Sequence, residues 1–269
     1  MSTRTVFIDG IGLLGPGLDN WQQAMPLLAG SAGTLPTKTV VPLPQSLPPA
    51  ERRRAGLAVR AALAVGQQAI AATGTPGSGL PTVFTSSGGD GVNCHTICAA
   101  LASADRAISP TRFHNSVHNA PSGYWSISTG SMATSSVLCA YDGSFAAGLL
   151  EAVAQVVAQQ VPVLLIAYDT DYPQPLYGVR PIPDTMGAGM LLVPRAGPLS
   201  LGQLALDTHG ALTPEAADTM PDPVLEQVRV SIPAARCLPL LRALALGRSR
   251  RVVIDYLDGA NLAVMVAPC

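Results

Sequence analysis

Charge is scarce in this chain of 269 residues: Asp, Glu, Lys and Arg make up 12%, and 16 cations against 17 anions leave a net charge of −1. Binding a phosphate backbone needs a clustered surplus of Lys and Arg, so nucleic acid is excluded as the main partner. No apolar run approaches the ~20 residues that span a bilayer. The N-terminus passes from Met1 through Arg4 into a strand-like Val6-Phe7-Ile8 without a secretory signal. A cytoplasmic protein with no membrane insertion is expected. The five cysteines, Cys94, Cys98, Cys139, Cys237 and Cys269, are odd in number and lack the paired spacings of zinc sites, which suits free thiols in a reducing compartment. Cys94 and Cys98 share a helix face, but no neighbour completes a ligand set, so neither a metal nor a cofactor is expected. Internal repeats and low-complexity tails are also missing, which removes solenoids.

What is present is apolar and layered. With 48% hydrophobic residues, the chain can bury one large core or two small ones. Trp21, Met25 and Leu28 recur at helical spacing behind Asp19, a candidate N-cap. Leu57 to Ile70 reads as an alanine-rich helix after the Pro48-Pro49 break, and Thr34 to Pro49 as a proline-rich surface loop. Thr82 to Ser86 suits a short buried strand, followed by Gly88, Gly89 and Gly91 and a helix from near Asn93. That glycine turn lacks the spacings of nucleotide-binding loops and reads as structural. Phe145 to Val157 forms a buried helix and Val161 to Tyr168 the strand after it. Strands alternating with helices, with continuous apolar strands, predict a layered α/β fold.

Several motifs then occur in a fixed order. Thr5 to Gly17 is a strand with a glycine-rich turn, Trp21 to Gly30 a helix ending in Leu-Ala-Gly, and Leu80 to Leu101 a strand, glycine turn and helix. Ser109 to Ile127 reads S-P-T-R-F-H-N-S-V-H-N-A-P-S-G-Y-W-S-I, Ala140 to Ala152 reads A-Y-D-G-S-F-A-A-G-L-L-E-A, and Pro183 to Pro194 carries Gly-Ala-Gly. Val252 to Val266 reads as a closing hairpin around Gly259 and Asn261. In this order the motifs resemble the ketoacyl synthase branch of the thiolase superfamily. The resemblance implies a thiolase-like layered fold, helices around mixed five-stranded sheets, with an abridged second half. It divides the chain into a ketosynthase N-terminal-half-like region, 1–200, and an abridged C-terminal half, 201–269, in the same globule.

The family's catalytic turn carries a cysteine, and registering the following helix on Ala146, Ala147, Gly148, Leu149 and Ala152 places Asp142 there. Two readings of Asp142 stand side by side: a helix cap, and a decoy carboxylate that cannot form a thioester. Cys139, three residues upstream, is the rival nucleophile, with a packed and inert thiol as the alternative. His209-Gly210-Ala211-Leu212-Thr213 echoes the family's His-Gly-Thr-Gly-Thr loop but follows the turn too soon to serve as it. His114 and His118 stand four apart, yet Pro110 and Pro121 around them predict an ordered loop rather than a metal-binding helix.

By resemblance, Asn115, His118, Asn119, Tyr124 and Trp125 lie at a subunit contact, where Tyr and Trp are favoured anchors. The triplets Arg52, Arg53, Arg54 and Arg248, Arg250, Arg251 read either as solvated faces or as a weak landing site for an acidic acyl carrier protein. The resemblance implies a chain-length-factor-like subunit of the short type in aryl polyene clusters, inactive alone and paired with a full-length ketosynthase in a heterodimer. The competing expectations are a small cysteine-dependent acyltransferase or thioesterase using Cys139, and a stand-alone acyl-binding module.

Overall fold

The computed structural model describes residues 3–30, 37–207 and 211–269. In chain order its strands are β1 (Thr3–Leu14), β2 (Thr82–Thr85), β3 (Ser135–Leu138), β4 (Val163–Asp169), β5 (Met186–Val193), β6 (Gly202–Asp207), β7 (Leu212–Thr213), β8 (Arg250–Leu257) and β9 (Ala260–Ala267). The helices are α1 (Trp21–Ala29), α2 (Pro49–Arg54), α3 (Leu57–Ala71), α4 (Gly91–Ala102), α5 (Pro110–His114), α6 (Ala120–Thr129), α7 (Ser144–Gln159), α8 (Leu176–Val179), α9 (Pro223–Ser231) and α10 (Leu238–Ala245).

The strands β3, β2 and β4 run parallel, and β5 and β1 continue the sheet antiparallel, giving the order β3-β2-β4-β5-β1. This is the mixed five-stranded unit expected of a thiolase-like half. The second half contributes β6, β9, β7 and β8, and β1 pairs with β6, so the two parts hydrogen-bond into one nine-stranded sheet. Alternation along β4 feeds two cores. Val163, Leu165 and Ala167 join the core on the α7 side, whereas Leu164, Ile166 and Tyr168 join the core that holds α3 and α6.

Three sheet glycines set the distance of α3. A Cβ at Gly10 or Gly12 of β1 would collide with the carbonyls of Ala69 and Val65, and one at Gly189 of β5 with that of Val65. The alanine-rich face of α3 (Ala58, Ala61, Ala62, Ala69) therefore lies on the sheet at backbone contact. On its other side Gly66 makes room for the Trp125 ring, whose atoms lie 2.7 and 3.3 Å from where a Cβ would stand.

Two local expectations change. Asn20, not Asp19, caps α1, accepting from Gln23 N at 3.0 Å. Pro110 and Pro121 do not hold a loop open: they occupy the first turns of α5 and α6, where a missing N–H is tolerated, so only 115–119 between the helices is irregular. The proline-rich stretch is irregular over 37–48, and its first residues, Thr34 to Pro36, lie outside the described residues. The closing hairpin turns at Gly259, whose φ of 71° is left-handed and suits glycine. No helix of the described residues is long and apolar enough to cross a membrane.

Asp169, at the end of β4, joins the two halves. One carboxylate oxygen accepts from Ser87 N (2.9 Å), Ser87 Oγ (2.7 Å) and Ser86 Oγ (3.2 Å), and the other from Ala234 N (2.8 Å) in the 3-10 turn Pro233–Cys237. Burial pushes its carboxyl up to about 6, against the pull of these donors. The fold thus favours the protonated form. Its contribution to stability is complete below the ordinary Asp pKa of about 4 and is lost as pH rises through 6, on the order of 3 kcal/mol in all. Denaturant unfolding at pH 4.5 and pH 7 should show the wild type losing stability relative to Asp169→Asn over that interval. A constant difference would place an ionised carboxylate there at both values.

Candidate active-site turn

Between β3 and α7 the chain makes a tight 3-10 turn, Tyr141–Gly143. Tyr141 takes a φ of 51°, a left-handed conformation that costs a non-glycine residue on the order of 1 kcal/mol. Its ring lies under the Arg180 guanidinium, 3.7 Å from the ring centroid. Gly143 is pressed against β8, where a Cβ would collide with the Tyr256 carbonyl. Ser144 Oγ donates to Tyr141 O at 2.7 Å and accepts from Ala140 N at 3.0 Å, which ties the turn together from inside.

Asp142 is not a helix cap. Gly143 occupies the cap position of α7 without a side-chain bond. The Asp142 carboxylate points instead to Arg180 at 2.7 Å and Arg236 at 3.8 Å. Two guanidinium groups outbid backbone N–H donors because they can approach a side chain that projects away from the helix axis.

The pairing continues into the second half. Arg236 reaches Asp255 at 2.6 Å, Asp255 also takes Arg229 at 2.6 Å, and Arg229 grips Glu226 at 2.7 Å. Three cations and three carboxylates alternate, Arg180-Asp142-Arg236-Asp255-Arg229-Glu226, along the floor between the turn and α9. The Arg229 side chain is only 7% exposed, so its charge depends on these partners. Its hydrogen bond to Glu226 holds that carboxyl below the usual range. At Asp142 the turn presents a carboxylate paired with two cations. Arg180, Arg229, Arg236 and Asp255 gave no sequence signal, being scattered along the chain without a motif.

Cys139 is exposed rather than packed, and its thiol donates to Ser87 O at 3.3 Å. No histidine or carboxylate hydrogen-bonds it among the described residues. His209 and Gly210 lie outside the described residues. Cys94 and Cys98 are both exposed on α4.

The aromatic pair matched to a subunit contact faces inward. Trp125 is 1% exposed against α3, and Tyr124 is buried with its hydroxyl donating to Asn115 Oδ1 at 3.1 Å. Asn115 in turn donates to Arg54 O at 2.8 Å. Tyr124, Trp125 and Asn115 therefore fasten α6 to α2 and α3 within the chain, because the space at Gly66 admits the indole. Asn119 is exposed and His118 half-buried. Near them the solvent-facing apolar residues are Phe113 (68% exposed), Val117 and Met132 (97%).

The arginine triplets are largely engaged. Arg52 donates to Gln45 O and Leu47 O, Arg54 pairs with Glu51 at 3.3 Å, Arg250 with Asp218 at 3.2 Å and Arg251 with Glu215 at 2.6 Å. Arg53 and Arg248 show no ion pair among the described residues.

Removing Asp255 takes a close carboxylate from two largely buried cations, leaving Arg229 with Glu226 and Arg236 with only the 3.8 Å contact to Asp142, whereas the half-exposed Asp142 has a single close partner, Arg180, which keeps its stacking on the Tyr141 ring. Asp255→Ala should cost about 1.5–3 kcal/mol and Asp142→Ala about 1 kcal/mol in urea unfolding. Equal costs would mean that the ion-pair chain is solvated throughout.

The family model of the beta-ketoacyl synthase N-terminal domain matches residues 21–231. No curated protein matches the chain. Among solved structures, a ketosynthase (ApeO) in complex with its chain length factor (ApeC) from Xenorhabdus doucetiae matches with a TM-score of 0.72 at 23% identity, over 97% of this chain and 99% of that one. A type II polyketide synthase acyl-carrier protein in complex with its hexaketide-bound ketosynthase (AntDE:AntF) matches at 0.74 and 10% identity over 100% of both chains. The ishigamide ketosynthase/chain length factor matches at 0.70 and 13% identity over 98% and 99%. At these identities the likeness to solved structures speaks for the fold. The family match spans most of the chain and includes the Asp142 turn, and with it the chain belongs to the beta-ketoacyl synthase family, in a thiolase-like fold.

Proposed function

We propose that the chain is a non-condensing, chain-length-factor-like subunit that pairs one-to-one with a full-length ketosynthase in type II polyketide- or fatty-acid-like biosynthesis of the aryl polyene kind. The observation that carries this reading is the Asp142 turn, where the residue in the nucleophile's place is a carboxylate held by Arg180 and Arg236. Condensation needs a thiolate to hold the chain. The ketosynthase and chain length factor complexes among the structural relatives support a partnered role.

The surface supports it as well. β3 is an open sheet edge, bonded only to β2 among the described residues. An uncovered edge invites a strand from another chain. Phe113, Val117, Ile127 and Met132 are exposed apolar residues on the neighbouring segments. These, with Asn119 and His118, replace Tyr124 and Trp125 as the contact in this reading. Because most of the arginines in both triplets are engaged, an acyl carrier protein meets the pair mainly on the partner, with Arg53 and Arg248 as secondary contacts.

Light scattering of the chain with and without its co-encoded ketosynthase tests the assembly: self-association alone and a tight one-to-one complex together are expected. A well-behaved monomer that ignores every co-encoded ketosynthase would overturn it.

Product formation by the reconstituted pair tests the chemistry. Asp142→Cys in this subunit should add no condensing activity, and Cys139→Ser should leave the product unchanged. Loss of product in Cys139→Ser with assembly intact would give this subunit a nucleophile of its own.

A further inference from the structure

Between β4 and β5 the chain makes a surface excursion, 172–182, that contains α8. Its ends meet: Tyr172 N donates to Ile182 O at 3.1 Å, which makes the segment an Ω-loop. The amides of Tyr177, Gly178, Arg180 and Ile182 also find their acceptors inside it, on Pro173, Pro175, Leu176 and Arg180. No side chain from Asp171 to Pro181 is buried. The loop therefore keeps its own shape with almost no core to hold it down.

Two side chains tie it to the rest of the molecule. At its base the Tyr172 ring lies on the glycine turn before α4, where a Cβ at Gly88 or Gly91 would collide with it. On the returning limb Arg180, the loop's one charged residue, reaches Asp142 at 2.7 Å and stacks on Tyr141. Beneath the loop, two cavities of about 390 and 360 Å³ separate it from α9. Both are walled by Pro181 on the loop side and by Gln227 and Ser231 on the α9 side, and the second also by Tyr141 and Asp142. Gaps of that size deny the loop the dispersion contacts of close packing. A segment with its own hydrogen bonds, unfilled space beneath it and one ionic contact is built to move as a unit.

We propose that 172–182 is a strap that opens and closes over the groove beside α9, and that Arg180 is its latch on the Asp142 turn. The Tyr172 contact with the glycine turn stays in place as the hinge end. When the latch lets go, the limb carrying Pro181 lifts, the two cavities merge, and Tyr141 and Asp142 face the groove. Access to the turn from the α9 side is thereby set by one half-exposed ion pair and one cation–π contact, and salt weakens the pair. The device belongs to the chain by itself, whether or not it pairs with a ketosynthase.

Hydrogen exchange of the full chain, read by mass spectrometry on fragments spanning 172–182, tests it. Asp142→Ala should speed exchange there about fivefold, and Arg180→Ala, which also removes the stacking, by more. Fragments from β4, β5 and α7 should exchange as in the wild type, and Val179→Ala, an exposed change on the same loop, should alter nothing. Sodium chloride at about 1 M, where the screening length falls to about 3 Å, should speed exchange of the wild-type strap and leave that of Arg180→Ala unchanged. Unchanged strap exchange in Arg180→Ala, an equal acceleration in β4 and β5, or the same salt response with and without Arg180 would each overturn the proposal. Failure of Arg180→Ala to fold would do so too, because opening of the strap would then be the unfolding of the chain itself.

Discussion

The close seat of α3 on the sheet is the constraint from which the rest of the molecule is laid out. Backbone contact is possible only because Gly10, Gly12 and Gly189 carry no Cβ against the carbonyls of Val65 and Ala69. With the helix fixed at that height, Gly66 opens the space that takes the Trp125 ring, and α6 is held by it. Ala58 and Val59 at the start of α3 then form part of the wall of a cavity beneath α4. One helix position thus sets the covering of one sheet face. An alanine at any of these three sheet positions would have to move helix or strand, since carbonyl groups cannot rotate away as side chains do.

The other sheet face is organised by charge and hydrogen bonds as well as by packing. Asp169 holds the end of β4 to the Ser86-Ser87 segment and to the Pro233–Cys237 turn. Below it, Asp255 on β8 binds two arginines from the segment that begins with α9. The Asp169 bonds tie Ser86, Ser87 and the end of β4 to Ala234, and the Asp255 pairs tie β8 to α9 and the turn after it. Together with the buried side chains of α9, α10, β8 and β9, they fix the second part of the chain against the Tyr141–Gly143 turn.

Much of this was legible in sequence wherever a local pattern carried the information. The apolar run that became β4, the alanine-rich α3, the Gly-Ala-Gly of β5 and the Gly259 turn are all short-range signals. What was illegible depended on distant partners. Trp125 resembled an interface anchor because its burial depends on Gly66, about 60 residues earlier. Asp142 resembled a cap because the competing Arg180 and Arg236 lie about 40 and 90 residues away. Prolines flanking the two histidines misled for a different reason: the same residue that ends a helix is well suited to begin one.

The alternating chain from Arg180 to Glu226 also has a historical consequence. Each charge in it is balanced by its neighbours, so a neutral side chain at position 142 would leave Arg180 without its carboxylate while Arg236 kept Asp255. The matching change would fall at Arg180, in a segment 38 residues away. Substitutions along the row are thereby coupled: a change of charge at one member favours a matching change at its neighbour, however far apart the two lie in the sequence.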